Sequence, residues 1–334
     1  MGITFLSNQP GSLERAHQVR LTTLALSALG LLASCDKNSE PIEATFPAKI
    51  TVPQRALSPE GIQYDEANQR FIVSSRTQGR IGTVRDDSTY TQLADDPKLV
   101  STIGLNLDAA RQRLLAAVSD AGANTTRSTA TTLRKLAALA IFNPNSGALL
   151  SYIDLGALRP NLPHFANDIA VDNQGNAYIT DSLSPIIYKV DAQGVATVFL
   201  ENPQLSGGTG FGLNGLVYHP DGYLLVAKSN DGTLYKVPLA NPASFTTVAS
   251  TQSLVGADGL LLLDNTTLLV VAGNQSTVFR MASSDAWATT RPTGSFATGA
   301  VSPTTITRRT AGVPYVLYPY TATAPRFAIT RVSF

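Results

Sequence analysis

The chain has 334 residues with nearly balanced charge, 25 Lys+Arg against 24 Asp+Glu, and is 43% hydrophobic and only 15% charged. That composition excludes wholesale disorder, and the lack of a basic stripe argues against a nucleic-acid partner. The 25 glycines and 19 prolines, with repeated Asn-Gly and Asp-Gly pairs, favour strands and turns.

Arg15 and Arg20 precede a 13-residue apolar run, Leu21 to Ala33. A bilayer span needs about 20 such residues, so residues 1–34 are expected to be a secretory signal. Leu32-Ala33-Ser34-Cys35 resembles a bacterial lipobox. This predicts lipidation of Cys35, the only cysteine, and an exported cell-envelope lipoprotein, periplasmic or surface-facing. An ordinary signal peptide, or a buried thiol, is the plainer alternative. Residues 35–45 are polar and read as a tether to a folded part over 46–334. With one cysteine no intrachain disulfide forms, and folding rests on core packing.

Beyond the tether the chain repeats itself. Pro59-Glu60-Gly61-Ile62 leads into Arg70-Phe71-Ile72-Val73, and Ile103-Gly104-Leu105-Asn106 into Arg113-Leu114-Leu115-Ala116. Asn167-Asp168-Ile169-Ala170, Asn214-Gly215-Leu216-Val217 and Asp258-Gly259-Leu260-Leu261 each open the same pattern, and Thr304-Thr305-Ile306-Thr307 opens a weaker sixth copy. The spacing is about 45 residues, except for a longer second interval. Short β-rich runs with this period predict an all-β fold, a six-bladed β-propeller of four-stranded blades. A β-sandwich is the fallback, but it leaves the period unexplained. Phe46 to Val52 precedes the first copy and is expected to close the ring on the last blade, beside Arg326 to Val332.

First strands line a propeller's axis. Glu60, Asn167, Asn214 and Asp258 all stand at first-strand starts, so they should converge at one mouth of the channel. Two carboxylates and two amides present only oxygen to a cation, which suits a hard divalent ion such as Ca²⁺. Mg²⁺, Mn²⁺ or Zn²⁺ are alternatives, although no cysteine or histidine pair builds a zinc site of the usual type. Taken singly, each Asn-Gly or Asp-Gly reads more simply as a turn. Four oxygen-bearing side chains at equivalent positions favour the metal site.

The phrases SPEGIQYD, HFANDIAVDNQGNAYITDS, GFGLNGLVYHPDGYLLVAKS and GADGLLLLDNTTLLVVAG resemble the senescence marker protein and gluconolactonase family over roughly residues 55 to 320. The resemblance implies a six-bladed propeller holding one divalent cation through Glu60, Asn167, Asn214 and Asp258. It also implies hydrolysis of a small-molecule lactone or related ester by a monomer. In that scheme the cation polarises the carbonyl, water attacks, and Asp258 is the catalytic base, with Asp181 as a substitute.

One position departs from the family. Sugar-lactone members can carry an arginine two residues before the first metal Asn, where this chain has Phe165, so a less polar ester becomes as plausible as an aldonolactone. His164, Phe165 and Lys228 are the candidate substrate contacts. A solvated loop position is the better expectation for His164, and a pair with Asp181 is slightly favoured for Lys228. Residues 121–135 form either a lid or a disordered excursion. Ser206 to Gly212 is glycine-rich but precedes a strand, so it reads as pocket rim and not as a phosphate loop. A propeller that binds a ligand or protein without catalysis, or a strictosidine-synthase-like enzyme without metal, stays open as an alternative.

Overall fold

The computed structural model describes residues 46–309 and 312–334. The signal segment 1–34, the tether and Cys35 lie outside the described residues. After the closing strand β1 (Lys49–Val52), four antiparallel sets follow in chain order. The first is β2 (Ile62–Asp65), β3 (Arg70–Val73), β4 (Ile81–Val84) and β5 (Tyr90–Ala94). The second is β6 (Ser101–Asp108), β7 (Arg113–Ser119), β8 (Ala137–Phe142) and β9 (Leu149–Asp154). The third is β10 (Ala166–Val171), β11 (Ala177–Asp181), β12 (Ile186–Val190) and β13 (Ala196–Glu201), and the fourth is β14 (Leu213–His219), β15 (Tyr223–Lys228), β16 (Thr233–Pro238) and β17 (Thr246–Ser250). A fifth set comprises β18 (Ala257–Asp264), β19 (Thr267–Ala272), β20 (Thr277–Ala282) and β21 (Thr289–Ala297). The last holds β22 (Ile306–Arg309), β23 (Val313–Tyr318) and β24 (Phe327–Arg331).

The fourth and fifth sets join into one eight-stranded sheet, but only through a parallel contact of two residue pairs, Ala249 with Thr289 and Ser250 with Thr290. Each half is an ordinary four-stranded meander. The innermost strands β2, β6, β10, β14, β18 and β22 each touch the next, and β22 touches β2. The ring is therefore closed, and the protein is a β-propeller.

Alternation along the strands explains how it packs. In β7, Leu115 and Ala117 join a core shared with β10–β12, while Leu114, Ala116 and Val118 join one shared with β3 and β4. Successive side chains point to opposite faces, and both faces of a blade are covered by neighbours. Such strands read as continuous apolar runs. Six buried clusters result, one between each pair of adjacent blades. Each fully buried Leu, Ile or Val in them contributes about 1.5–3 kcal/mol.

The ring closes as the sequence predicts. Strand β1 pairs antiparallel with β24, Lys49 opposite Thr330 and Val52 opposite Phe327, as the outermost strand of the last blade. Ile50 and Val52 are buried in the core between last and first blades.

Candidate functional site

Four of the six first strands, β6, β10, β14 and β18, carry an irregularity at their motif pair. From Ala166↔Asp181 to Ile169↔Ile179 strand β10 advances three residues while β11 advances two. The same jump runs from Leu213↔Lys228 to Leu216↔Val226, from Ala257↔Ala272 to Leu260↔Val270, and from Thr102↔Val118 to Leu105↔Ala116. The extra residue is a β-bulge, a device that re-aims side chains. The unpaired residues are Asn167-Asp168, Asn214-Gly215, Asp258-Gly259 and Ile103-Gly104.

The glycines are there for space and not for turns. A Cβ on Gly215 would lie 2.1 Å from Asp258 O, and one on Gly104 would lie 2.4 Å from Asn167 O. On Gly61 it would meet Ile103 O at 2.4 Å. The backbone of the following blade crosses directly over each glycine, drawing the inner strands close around the axis. The turn reading of Asn214-Gly215 and Asp258-Gly259 is thereby replaced, whereas Asp221-Gly222 and Asp231-Gly232 are true hairpin turns between strands.

Glu60, Asn167, Asn214 and Asp258 converge on one axial cavity of about 10 Å³, room for a single water-sized body. Ser74 Oγ accepts from the backbone N–H groups of Glu60 and Gly61 at 3.2 and 2.7 Å. Asn167 Nδ2 donates to Ser182 Oγ at 2.8 Å, and Ser182 Oγ donates to Leu213 O at 2.5 Å. One hydroxyl thus ties the first Asn to the strand carrying the second.

Asp168 and Thr305 also line this cavity, and they line a larger channel pocket of about 350 Å³ beyond it. They are the two motif copies in which a side chain stands where the others have glycine. Together they form the partition between cavity and channel.

The cavity is crowded with negative charge. Burial raises the Glu60 pKa, against a lowering by Arg76. Asp258 is raised well above the carboxylate range by burial and by the charges of Glu60 and Asp168, with Arg76 and a hydrogen bond from Asn214 opposing. Asp168 is raised to about 7, by burial first, with hydrogen bonds from the Ile169 and Leu216 backbones opposing and Glu60 adding. Glu60 Oε2 and Asn214 Oδ1 are buried without a hydrogen-bond partner. Two orphaned oxygens beside desolvated carboxylates fit a hard cation. Among the described residues no three His, Cys, Asp or Glu side chains form a metal-holding group by themselves, so a cation at this position requires the amides.

The remaining sequence candidates lie elsewhere. Asp181 is fully buried, and its oxygens accept from Phe165 N, Leu183 N, Ser184 N, His164 Nδ1 and Tyr188 Oη at 2.7–3.0 Å. Its lone pairs are occupied and it does not line the cavity, which removes it as a substitute base. It anchors the turn that presents Ser182. His164, expected in solvent, is 1% exposed and bridges Asp181 to Arg159 O, with Nε2 2.9 Å from that carbonyl. Lys228 pairs with Asp231 at 2.8 Å and donates to Gln204 O, not to Asp181, because the hairpin it enters brings Asp231 within reach. Phe165 is buried beneath Phe211 of the glycine-rich rim, the ring centroids 4.9 Å apart. Residues 121–135 fold into hydrogen-bonded turns around Asp120, whose Oδ2 accepts from Ser128 and Thr132 at 2.7 Å each.

Sequence reasoning missed Asp168, Ser74, Ser182 and any role for Arg76. Asp168 was signalled by its departure from glycine at the second motif position. The two serines were signalled by a shared place at the end of second strands.

Comparison with known proteins gives the class. No protein-family model matches the chain, and no curated protein matches it in sequence. Solved structures do. The Malassezia sympodialis allergen Mala s 1 superposes with a TM-score of 0.71 at 17% identity, over 86% of this chain and 96% of that one. A gluconolactonase from Xanthomonas campestris gives 0.61 at 18% identity, over 85% and 89%. A luciferin-regenerating enzyme gives 0.62 at 13%, over 86% and 95%. At these identities the likeness shows a shared β-propeller fold, one that includes gluconolactonase-like propellers.

Proposed function

We propose that the protein is a divalent-cation-dependent hydrolase of a lactone or related carboxylic ester, with Ca²⁺ as the cation. The observation that carries this is the convergence of Glu60, Asn167, Asn214 and Asp258 on one axial cavity in which Glu60 Oε2 and Asn214 Oδ1 have no hydrogen-bond partner. The likeness to a gluconolactonase supports the reaction class.

Glu60 and Asp258 supply the negative charge, and Asn167 and Asn214 the neutral oxygens. A bound cation supplies a Lewis acid that draws electron density from the acyl oxygen. Ser182 and Ser74 hold the inner-strand starts in place, so the oxygens are arranged before any ligand arrives. Asp258 is the base in this scheme, on the resemblance to the gluconolactonase family and its place in the cavity lining. The apolar pair Phe165 and Phe211 at the rim suits an ester less polar than a sugar lactone.

A panel of lactones and aryl esters, run with and without chelator alongside metal analysis, tests the reading. Hydrolysis abolished by chelator and restored by Ca²⁺ supports it. Full hydrolysis in chelator, or none of any substrate, defeats it. Export and acylation at Cys35 belong to the same proposal on sequence grounds alone, and acyl labelling of wild type against Cys35→Ser tests them.

A further inference from the structure

Among the described residues, one basic side chain forms an ion pair with an axial carboxylate: Arg76, whose Nε lies 3.5 Å from Glu60 Oε2. The residue is held at its backbone, where N donates to Ser58 O at 3.2 Å and O accepts from Ser101 Oγ at 2.6 Å. Its guanidinium is under-used. Nη2 donates to Ser58 Oγ at 2.8 Å, while Nε is buried without a hydrogen-bond partner. Yet 37% of the side chain is exposed. Because β3 runs antiparallel to β2, Arg76 past the end of β3 lies on the same face as Glu60 before β2. A fixed cation with free donors therefore stands at the mouth of a well whose other charges are carboxylates.

Ester hydrolysis creates an anion at that mouth. Water adds across the acyl C–O bond, placing OH on the acyl carbon and H on the leaving oxygen, and the new acid loses one proton to solvent. Glu60 and Asp258 are committed to the cation in this reading, whereas Arg76 is the basic side chain paired beside them, and an arginine fork matches the resulting carboxylate. We propose that Arg76 is the binding residue for the carboxylate of the hydroxy-acid product, and so sets how that end of the substrate is oriented. This rests on the hydrolase reading. If Arg76 served only as a counter-ion to Glu60, its loss would alter cation affinity and leave product affinity unchanged.

Calorimetric titration of the Ca²⁺-saturated protein with 4-hydroxybutanoate, for wild type, Arg76→Gln and Arg76→Lys, separates the two. The expected result is binding by wild type, at least about tenfold weaker binding by Arg76→Gln, and an intermediate loss in Arg76→Lys, since the charge remains but the fork is gone. KM for the neutral γ-butyrolactone should move far less than product inhibition does. Equal affinity in wild type and Arg76→Gln, or no binding by wild type, overturns the proposal. Should Arg76→Gln fail to fold, unchanged affinity in Arg76→Lys overturns it. Hydrolysis without Arg76-dependent product binding removes this inference alone. Arg76-dependent binding without hydrolysis of any lactone or ester removes the hydrolase reading, and with it the product role, and leaves Arg76 only as a carboxylate-binding residue.

Discussion

His164 Nδ1 lies 2.7 Å from Asp181 Oδ2, and neither residue lines the axial cavity. The pair has the form of a catalytic dyad and the placement of a structural one. Burial disfavours the charged imidazole, but the hydrogen bond and charge of Asp181 outweigh it, so the His164 pKa is raised above 6.5. The folded state therefore holds the proton more tightly than the unfolded chain does. This stabilisation is fully present below the unfolded pKa of about 6.5 and is lost as pH rises through the folded value.

His164→Ala should cost about 3–5 kcal/mol, the usual result of removing one partner from a buried pair. Denaturant midpoints from pH 6 to pH 9 should fall with pH in the wild type and fall less steeply in the variant. A variant as stable as wild type, or identical slopes, would count against a structural role for the pair.

The glycines over the neighbouring blades give a second expectation. Gly215→Ala forces a Cβ to within 2.1 Å of Asp258 O, so the inner strands must part, at about 1–3 kcal/mol or more. Because the displaced backbone carries Asp258, cation binding should weaken as well. Gly210→Ala is the control: its Cβ would find only Gly207 O, at 3.9 Å, with no positive φ to oppose it. Thermal melts of the two variants should diverge. Equal melts would mean that the close approach is not what the sequence maintains.

Ring closure is testable strand by strand. Ile50 is 1% exposed and sits between the last and first blades, so Ile50→Ala should cost about 2–5 kcal/mol. Thr51 points outward, and Thr51→Ala should stay within about 0.5 kcal/mol. If Ile50→Ala unfolds at the wild-type denaturant concentration, β1 contributes little to holding the ring.

The blades were legible because four first strands repeat the same two-residue bulge, and four of the six motif copies place glycine where the next blade crosses. Gly61, Gly104, Gly215 and Gly259 thus mark the period, and the residues before three of them carry the axial oxygens. Asn167 was legible by equivalence, although Asp168 replaces the glycine in that copy. Side-chain pairing was not legible. Whether Lys228 meets Asp181 or Asp231 depends on where the β15–β16 hairpin sends a flexible chain, which no motif records. His164 precedes a strand in a run that reads as loop, yet it is held by Asp181 and Tyr188, contributed by the two strands that follow its own. Arg76 was visible only as a basic residue at a strand end, and its significance comes from the 3.5 Å to Glu60 across the hairpin.

Calorimetric titration of the metal-free protein with Ca²⁺, alongside Glu60→Gln, Asn214→Ala and Asp258→Asn, tests the axial site most directly. The expected result is one equivalent per wild-type chain, weakened at least about tenfold in each variant. Without cation, Glu60→Gln and Asp258→Asn should be no less stable than wild type, because burial disfavours both charges. Saturation at about 100 times the dissociation constant should stabilise the wild type by about 2.7 kcal/mol. No binding by the wild type, or undiminished binding in all three variants, would contradict a cation held at the propeller axis.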